Sequence, residues 1–123
     1  HDDRSVAFRV PRSDADNRRL EHRLPGGDAN PYLILAMMLG AGRIGLRDRL
    51  VALPPRTPGS LPDDGAPLPA DQEAAIAALE RCRIAAEVLG EPFVALYAMV
   101  KRHELAAQRA EPDFALRHLL GRS

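Results

Sequence analysis

Hydrophobic and polar positions change period along this chain, and the changes mark out its elements. The opening stretch "RSVAFRVP" is strand-like and stops at Pro11, which cannot donate into a β-ladder. After the polar turn "RSDADN", the segment "RRLEHRLP" alternates. Arg19, Glu21 and Arg23 fall on one face, and Leu20, His22 and Leu24 on the other. The two segments predict an antiparallel hairpin with strands at about 4–10 and 18–24.

Helical spacing takes over next. Asn30 is placed to cap a helix over about 31–48, with Pro31 in the first position, where its fixed φ suits the helix. From Tyr32 to Leu39 this helix is apolar on every side, which predicts burial within a larger body, with Met37 and Met38 as core filler. Arg43, Arg47 and Arg49 gather at its C-terminal end, where cations favour the dipole.

The run "LPPRTPGSLPDDGAPLPAD" reads as an extended surface loop, and its PxxP-like spacings are read as a spacer before a docking motif. A second helix over about 71–89 is capped by Asp71, carries one stripe of Ile76, Leu79, Cys82, Ala86 and Leu89, and ends at a left-handed Gly90. A third, over about 92–109, turns Phe93, Leu96, Tyr97 and Val100 inward, with Lys101, Arg102 and Glu104 on the solvated side. A fourth over about 112–120 closes the chain. No internal repeat is visible. The fold class is α+β: an antiparallel β-hairpin followed by about four α-helices.

Composition narrows the function classes. The 123 residues amount to one domain or a piece of one, and with no Trp the core must be built from Ala, Leu, Val and Ile. Lys and Arg number 17, balanced by 17 Asp and Glu, so bulk charge points neither to nucleic acid nor to an anionic membrane. Cys82 is the only cysteine, which excludes an internal disulfide and a cysteine metal cluster, and its helical setting predicts a small buried hydrophobe. No apolar run is long enough to span a bilayer and no signal-peptide pattern opens the chain, so the default location is the cytoplasm. The sequence starts at His1 and enters strand-like residues almost at once, which reads as an N-terminus truncated by design or by proteolysis.

The alternating strand is the main candidate for chemistry. Side chains two apart on a strand share a face roughly 7 Å from each other. An Arg-x-Glu-x-Arg face therefore offers one carboxylate between two fork-shaped cations, with Arg4 and Arg9 of the preceding strand available to extend it. Such a surface suits a metal-bound polyanion, the carboxylate taking the divalent ion and the arginines phosphate or carboxylate oxygens. Spacing alone favours the plainer reading, a solvated face of self-compensating ion pairs. His22 points away from that face and reads as packed or hydrogen-bonded. His103 and His118 read as solvent-facing, and Asp28 and Asn30 as turn and cap residues.

The longer context changes the weighting. "RRLEHRLPGGDANPYL" resembles the C-terminal part of the catalytic domain in the glutamine synthetase family, where R-x-E-x-R runs through a proline and a glycine or acidic turn into A-N-P-Y-L. "DRSVAFRVP" is similar to the family's N-R-S-x-x-x-R-x-P strand. "LPADQEAAIAAL" resembles its L-P-x-S-L-x-E-A-L helix start, and "LGEPFVALYAMVKRHELA" its final long helix. The likeness runs collinearly through essentially all 123 residues, which implies a C-terminal segment without the family's N-terminal β-grasp domain or most of the catalytic domain.

That resemblance implies an ATP-dependent ligase joining glutamate to ammonia or a small amine through γ-glutamyl phosphate, with two Mg2+ or Mn2+ ions. By motif position Glu21 corresponds to a metal ligand, and Arg4, Arg9 and Arg19 to arginines on the nucleotide phosphates. Arg23 corresponds to the arginine that binds the glutamate side and steadies the phosphorylated intermediate. Two departures stand out. Asp3 replaces the usual asparagine, and would repel a phosphate unless it pairs with Arg4 or points away. Arg4 and Arg9 are also an odd number apart, so a regular strand puts them on opposite faces unless it bulges or Arg9 reaches round the edge.

The resemblance further implies a homo-oligomeric, dodecameric ring for full-length members, completed by carboxylates and a histidine upstream. The segment alone is therefore expected to be inactive. The phrasing is nearer the γ-glutamylpolyamine branch than housekeeping enzymes. The alternative from a different class is a non-catalytic helical module derived from such a ligase and kept for binding or assembly.

Overall fold

The computed structural model describes residues 6–52, 54, 67–111 and 113–114. Arg4, Asp3, His118, most of the Pro-rich loop and most of the expected helix over 112–120 lie outside the described residues.

Two short strands, β1 (Phe8–Arg9) and β2 (Glu21–His22), pair antiparallel with Phe8 opposite His22 and Arg9 opposite Glu21. The hairpin is present, but its regular ladder is much shorter than the alternation suggests. Beyond it the Arg23 amide donates to the Ala7 carbonyl at 2.9 Å. The connection holds a 3-10 turn at Ala15–Asn17, fixed by Asp14, whose Oδ1 accepts from the Asn17 amide at 3.1 Å. Of the expected inner face, His22 alone packs inward, its ring stacked on Phe8 at 4.5 Å between centroids. Leu20 and Leu24 are exposed.

Helix α1 (Pro31–Arg47) starts where the cap places it, with Asn30 Oδ1 accepting from the amides of Tyr32 and Leu33 at 3.0 and 3.3 Å. Its C-terminus closes in a Schellman arrangement. The Leu50 amide reaches the Gly45 carbonyl at 2.9 Å and the Arg49 amide the Leu46 carbonyl at 3.3 Å. Arg49 sits at φ 52°, in the left-handed region that glycine occupies more cheaply. The expected burial of α1 on every side is not met. Its main neighbour is α3, and Tyr32, Leu39 and Leu46 remain 81%, 73% and 83% exposed on the side away from it.

The expected single helix over 71–89 is two helices, α2 (Gln72–Glu80) and α3 (Arg83–Leu89), broken at Arg81 and Cys82. Asp71 caps α2 through a 2.7 Å bond from the Ala74 amide. Cys82 is not an interior core residue: half-buried, it caps α3, its Sγ accepting from the Ala85 amide at 3.5 Å. The break turns the predicted stripe, so that Ile76 and Ala85 are the buried residues of the two helices. Gly90 has the positive φ expected of it, at 87°, but with ψ 139° it joins α3 directly to α4 (Glu91–Ala110).

Helix α4 packs along α2 and α3, but through a different face from the one the pattern suggested. Val94 and Ala98 are buried, while Phe93, Leu96 and Val100 are exposed and Tyr97 is half-buried. Small residues win the interface because they let the helix axes approach. Lys101 and Glu104 are likewise half-buried and not fully solvated, joined at 2.7 Å. The Lys101 ammonium lies 5.5 Å from the Tyr97 ring centre. The hydrogen bond to Glu104 is the largest influence on Lys101 and raises its pKa, against an opposing partial desolvation. His103 is exposed, as expected.

At the rim, Arg102 bonds Glu80 at 2.6 Å and Arg109 bonds Glu73 at 2.8 Å, tying α4 to α2. Arg47 bonds Glu87 at 2.5 Å, tying α1 to α3. Exposed pairs of this kind contribute about 0–1 kcal/mol each. The core they surround consists of Ile44, Ile76, Ala85, Val94 and Ala98 among the described residues.

Candidate functional site

The charged side of the hairpin gathers three of the five sequence-predicted residues around one carboxylate. Arg9 Nε donates to Glu21 Oε2 at 2.8 Å, and Arg19 Nε donates to Glu21 Oε1 at 3.2 Å. Each oxygen of Glu21 thus faces a guanidinium, one from the opposite strand and one from its own. Arg9 and Glu21 are both about three-quarters covered, whereas Arg19 is more than half exposed. Arg23 is exposed two residues further along, held by the ladder bond of its amide. Arg4 lies outside the described residues.

Spacing along one strand lets Arg4 and Arg9 serve one site only through a bulge or a reach round the edge, and Arg4 lies outside the described residues. Arg9 itself meets Glu21 without either. Residues directly opposite in an antiparallel pair share a face, and Arg9 is directly opposite Glu21. The signal was available in the pairing register rather than in the spacing.

The electrostatics follow. The hydrogen bond from Arg9 is the largest influence on Glu21 and lowers its carboxyl below the ordinary 4.5, with Arg19 adding to it and partial desolvation opposing. The group is therefore a carboxylate at neutral pH, as a hard oxygen ligand for Mg2+ or Mn2+ must be. Each carboxylate oxygen has two lone-pair directions, so the two arginine bonds leave room for a cation. The residues fit a divalent ion as one ligand of an octahedral set and not as a whole site. No group of three or more His, Cys, Asp or Glu side chains able to hold a metal occurs among the described residues.

The surroundings position this face. The turn Pro25–Ala29, closed by the Ala29 amide on the Gly26 carbonyl at 3.2 Å, delivers the chain from β2 to the Asn30 cap of α1. Glu21 is thus joined, through a short turn, to a helix start that the sequence specifies strongly. Among the described residues no helix is long and apolar enough to cross a membrane.

Comparison with known proteins gives this geometry a context. The chain is 39% identical over 119 residues to a gamma-glutamylethanolamide synthetase of Streptomyces coelicolor, covering 95% of this chain and 25% of that protein. It is 34% identical over 105 residues to a gamma-glutamylputrescine synthetase of Escherichia coli, covering 85% of this chain and 22% of the relative. A glutamate–isopropylamine ligase of a Pseudomonas species is 32% identical over 107 residues, covering 85% and 23%. The chain thus spans about a quarter or less of the length of these relatives. No solved structure matches it. A family profile described as "Glutamine synthetase, catalytic domain" matches residues 1–116. With nearly the whole chain inside that profile and Glu21, Arg9 and Arg19 assembled on one face, the protein belongs to the glutamine synthetase family through its catalytic domain.

Proposed function

We propose that this chain is the C-terminal part of the catalytic domain of an ATP-dependent glutamate–amine ligase. The observation that carries the proposal is the Glu21 carboxylate held ionised between Arg9 and Arg19 on the charged hairpin face, inside the matched region. In this reading Glu21 contributes one oxygen ligand to Mg2+ or Mn2+, which neutralises charge on the ATP phosphates. Arg9, Arg19 and Arg4 take phosphate oxygens of the nucleotide. Arg23, at the open end of the strand, binds the glutamate side and stabilises the charge of the γ-glutamyl phosphate. Phosphoryl transfer depends mainly on positioning and charge neutralisation, and an arginine-rich face supplies both.

The names of the three relatives, which specify ethanolamide, putrescine and isopropylamine, support an organic amine over ammonia as acceptor. The complete enzyme is read as a cytoplasmic homo-oligomeric ring that supplies the missing ligands. A lone carboxylate cannot hold two metal ions, so the 123-residue chain by itself is expected to be inactive.

The test is an assay of γ-glutamyl product and ADP with the chain extended upstream to the length of its relatives. Ammonia, putrescine, ethanolamine and isopropylamine are offered in turn. Product with an organic amine, abolished by Glu21→Ala and absent from the 123-residue chain, is the expected result. Full activity without Glu21, or no ligase activity with any amine, would sink the reading in favour of a non-catalytic helical module.

A further inference from the structure

We propose that the bare apolar stripe of α1 is the docking face for the remainder of the same catalytic domain, the polypeptide that precedes this chain in a full-length ligase. The inference rests on the reading of the chain as a C-terminal part, and it names the surface through which that part joins the rest.

Helix α1 carries two apolar seams. Leu33, Met37, Gly40 and Ile44 follow at intervals of four and three, which keeps them on one side of the helix. That side meets α3: Ile44 is buried, and Gly40 lies so close to Val88 that an added Cβ would overlap it. Tyr32, Leu35, Leu39, Gly42 and Leu46 follow at intervals of three and four. They fall within about 80° of the circumference, on nearly the opposite side. The four large side chains of this second seam are all more than half exposed, and nothing lies within 4 Å of a Cβ placed on Gly42. Intervals of three and four are those at which a helix packs along a neighbouring element, and a solvated side needs no such spacing. Glycine inside a solvent-facing helix is also less favourable than alanine. An element approaching Gly42 as closely as Val88 approaches Gly40 explains both features.

Core size, length and charge choose the occupant. Among the described residues five hydrophobic side chains are buried while sixteen large ones are exposed, so the core is left open. The chain covers 25%, 22% and 23% of three ligases it resembles, which leaves ample polypeptide to close that core. A second copy is the poorer fit. Helix α1 contains no Asp or Glu, so two copies laid stripe to stripe would set Arg43 and Arg47 at the edge of each against no acidic residue of the other helix.

Hydroxyl-radical footprinting of the unaltered proteins reads the stripe directly. Tyr32 is 81% exposed in the 123-residue chain, and its oxidation rate is expected to fall to about a tenth or less in the protein extended upstream to the length of its relatives. Leu39→Gln adds a stability readout. It should leave the urea midpoint of the 123-residue chain unchanged, as an exposed substitution does, and lower that of the longer protein. Equal oxidation of Tyr32 in both proteins would overturn the proposal, as would equal effects of Leu39→Gln. Protection of Tyr32 that grows with the concentration of the 123-residue chain would overturn it too, by assigning the stripe to a second copy. Neither readout depends on turnover. A longer protein that protects Tyr32 but makes no γ-glutamyl product keeps the docking face and removes the ligase reading, and an active one with Tyr32 freely oxidised does the reverse.

Discussion

The hairpin and the helical body are held together by different means. The helices share a core of Ile44, Ile76, Ala85, Val94 and Ala98, made of small and β-branched residues that let helix axes approach. The hairpin has two residue pairs of regular ladder, one ring stack and one carboxylate between two arginines. An isolated two-stranded hairpin is marginal in water, so the charged face is expected to keep its shape only while it stays joined to the folded helices. The part with candidate chemistry is the part with least stability of its own.

This contrast ranks the effects of substitution. Ile76, only 5% exposed, packs α2 toward α4, and Ile76→Ala is expected to cost about 2–5 kcal/mol. The loss should appear as a lower urea midpoint for helix and hairpin signals together, because the hairpin has no independent support. If the hairpin signals survive helix unfolding, the comparison above is wrong. Next comes Gly40, where an added Cβ would overlap the Val88 side chain across the α1–α3 contact. Gly40→Val is expected to cost about 1–3 kcal/mol by overpacking. Gly42→Ala is its control: nothing lies within 4 Å of a Cβ there, so the helix should gain up to about 1 kcal/mol. Equal effects at the two positions in thermal unfolding would deny the close approach. Smaller again is Arg49→Gly, which relieves a left-handed φ of 52° and should stabilise by about 1 kcal/mol in the same measurement.

These sites also show what the sequence made legible. Asn30-Pro31 and Asp71 are caps with a direct mechanism, and both helix starts lie at or beside the expected positions. The break between α2 and α3 was hidden because Arg81-Cys82-Arg83 contains neither Pro nor Gly, and cysteine is an unusual cap. The pattern leaves the inward face of α4 undetermined because Phe93, Val94, Leu96, Tyr97, Ala98 and Val100 make more than one side of that helix apolar. Periodicity cannot choose between such sides, whereas close packing against α2 selects Val94 and Ala98. The charged face followed from alternation, but Arg9 needed the register, which no one-strand count contains. Exposure of Tyr32, Leu39 and Leu46 is the opposite lesson. The pattern asked for cover on every side of α1, and the described residues supply it mainly on one.

The smallest expected effect tests the hairpin directly. Glu21 is held below the ordinary 4.5 mainly by the hydrogen bond from Arg9 and less by Arg19. Carboxyl 13C shifts followed against pH should show it titrating below the exposed glutamates. Arg9→Met should move its midpoint upward more than Arg19→Met does. The linkage has a definite sign. A carboxyl with a lower pKa in the folded state binds fewer protons there than in the unfolded state between the two values. Its contribution to stability is therefore complete above 4.5 and lost as pH falls through the folded value. Glu21→Gln should accordingly flatten the pH dependence of stability below 4.5 and leave it unchanged near neutrality. An equal response to Arg9→Met and Arg19→Met would mean that the cross-strand contact does not dominate. The carboxylate would then be held by its own strand, and the paired register would lose its claim to have assembled the site.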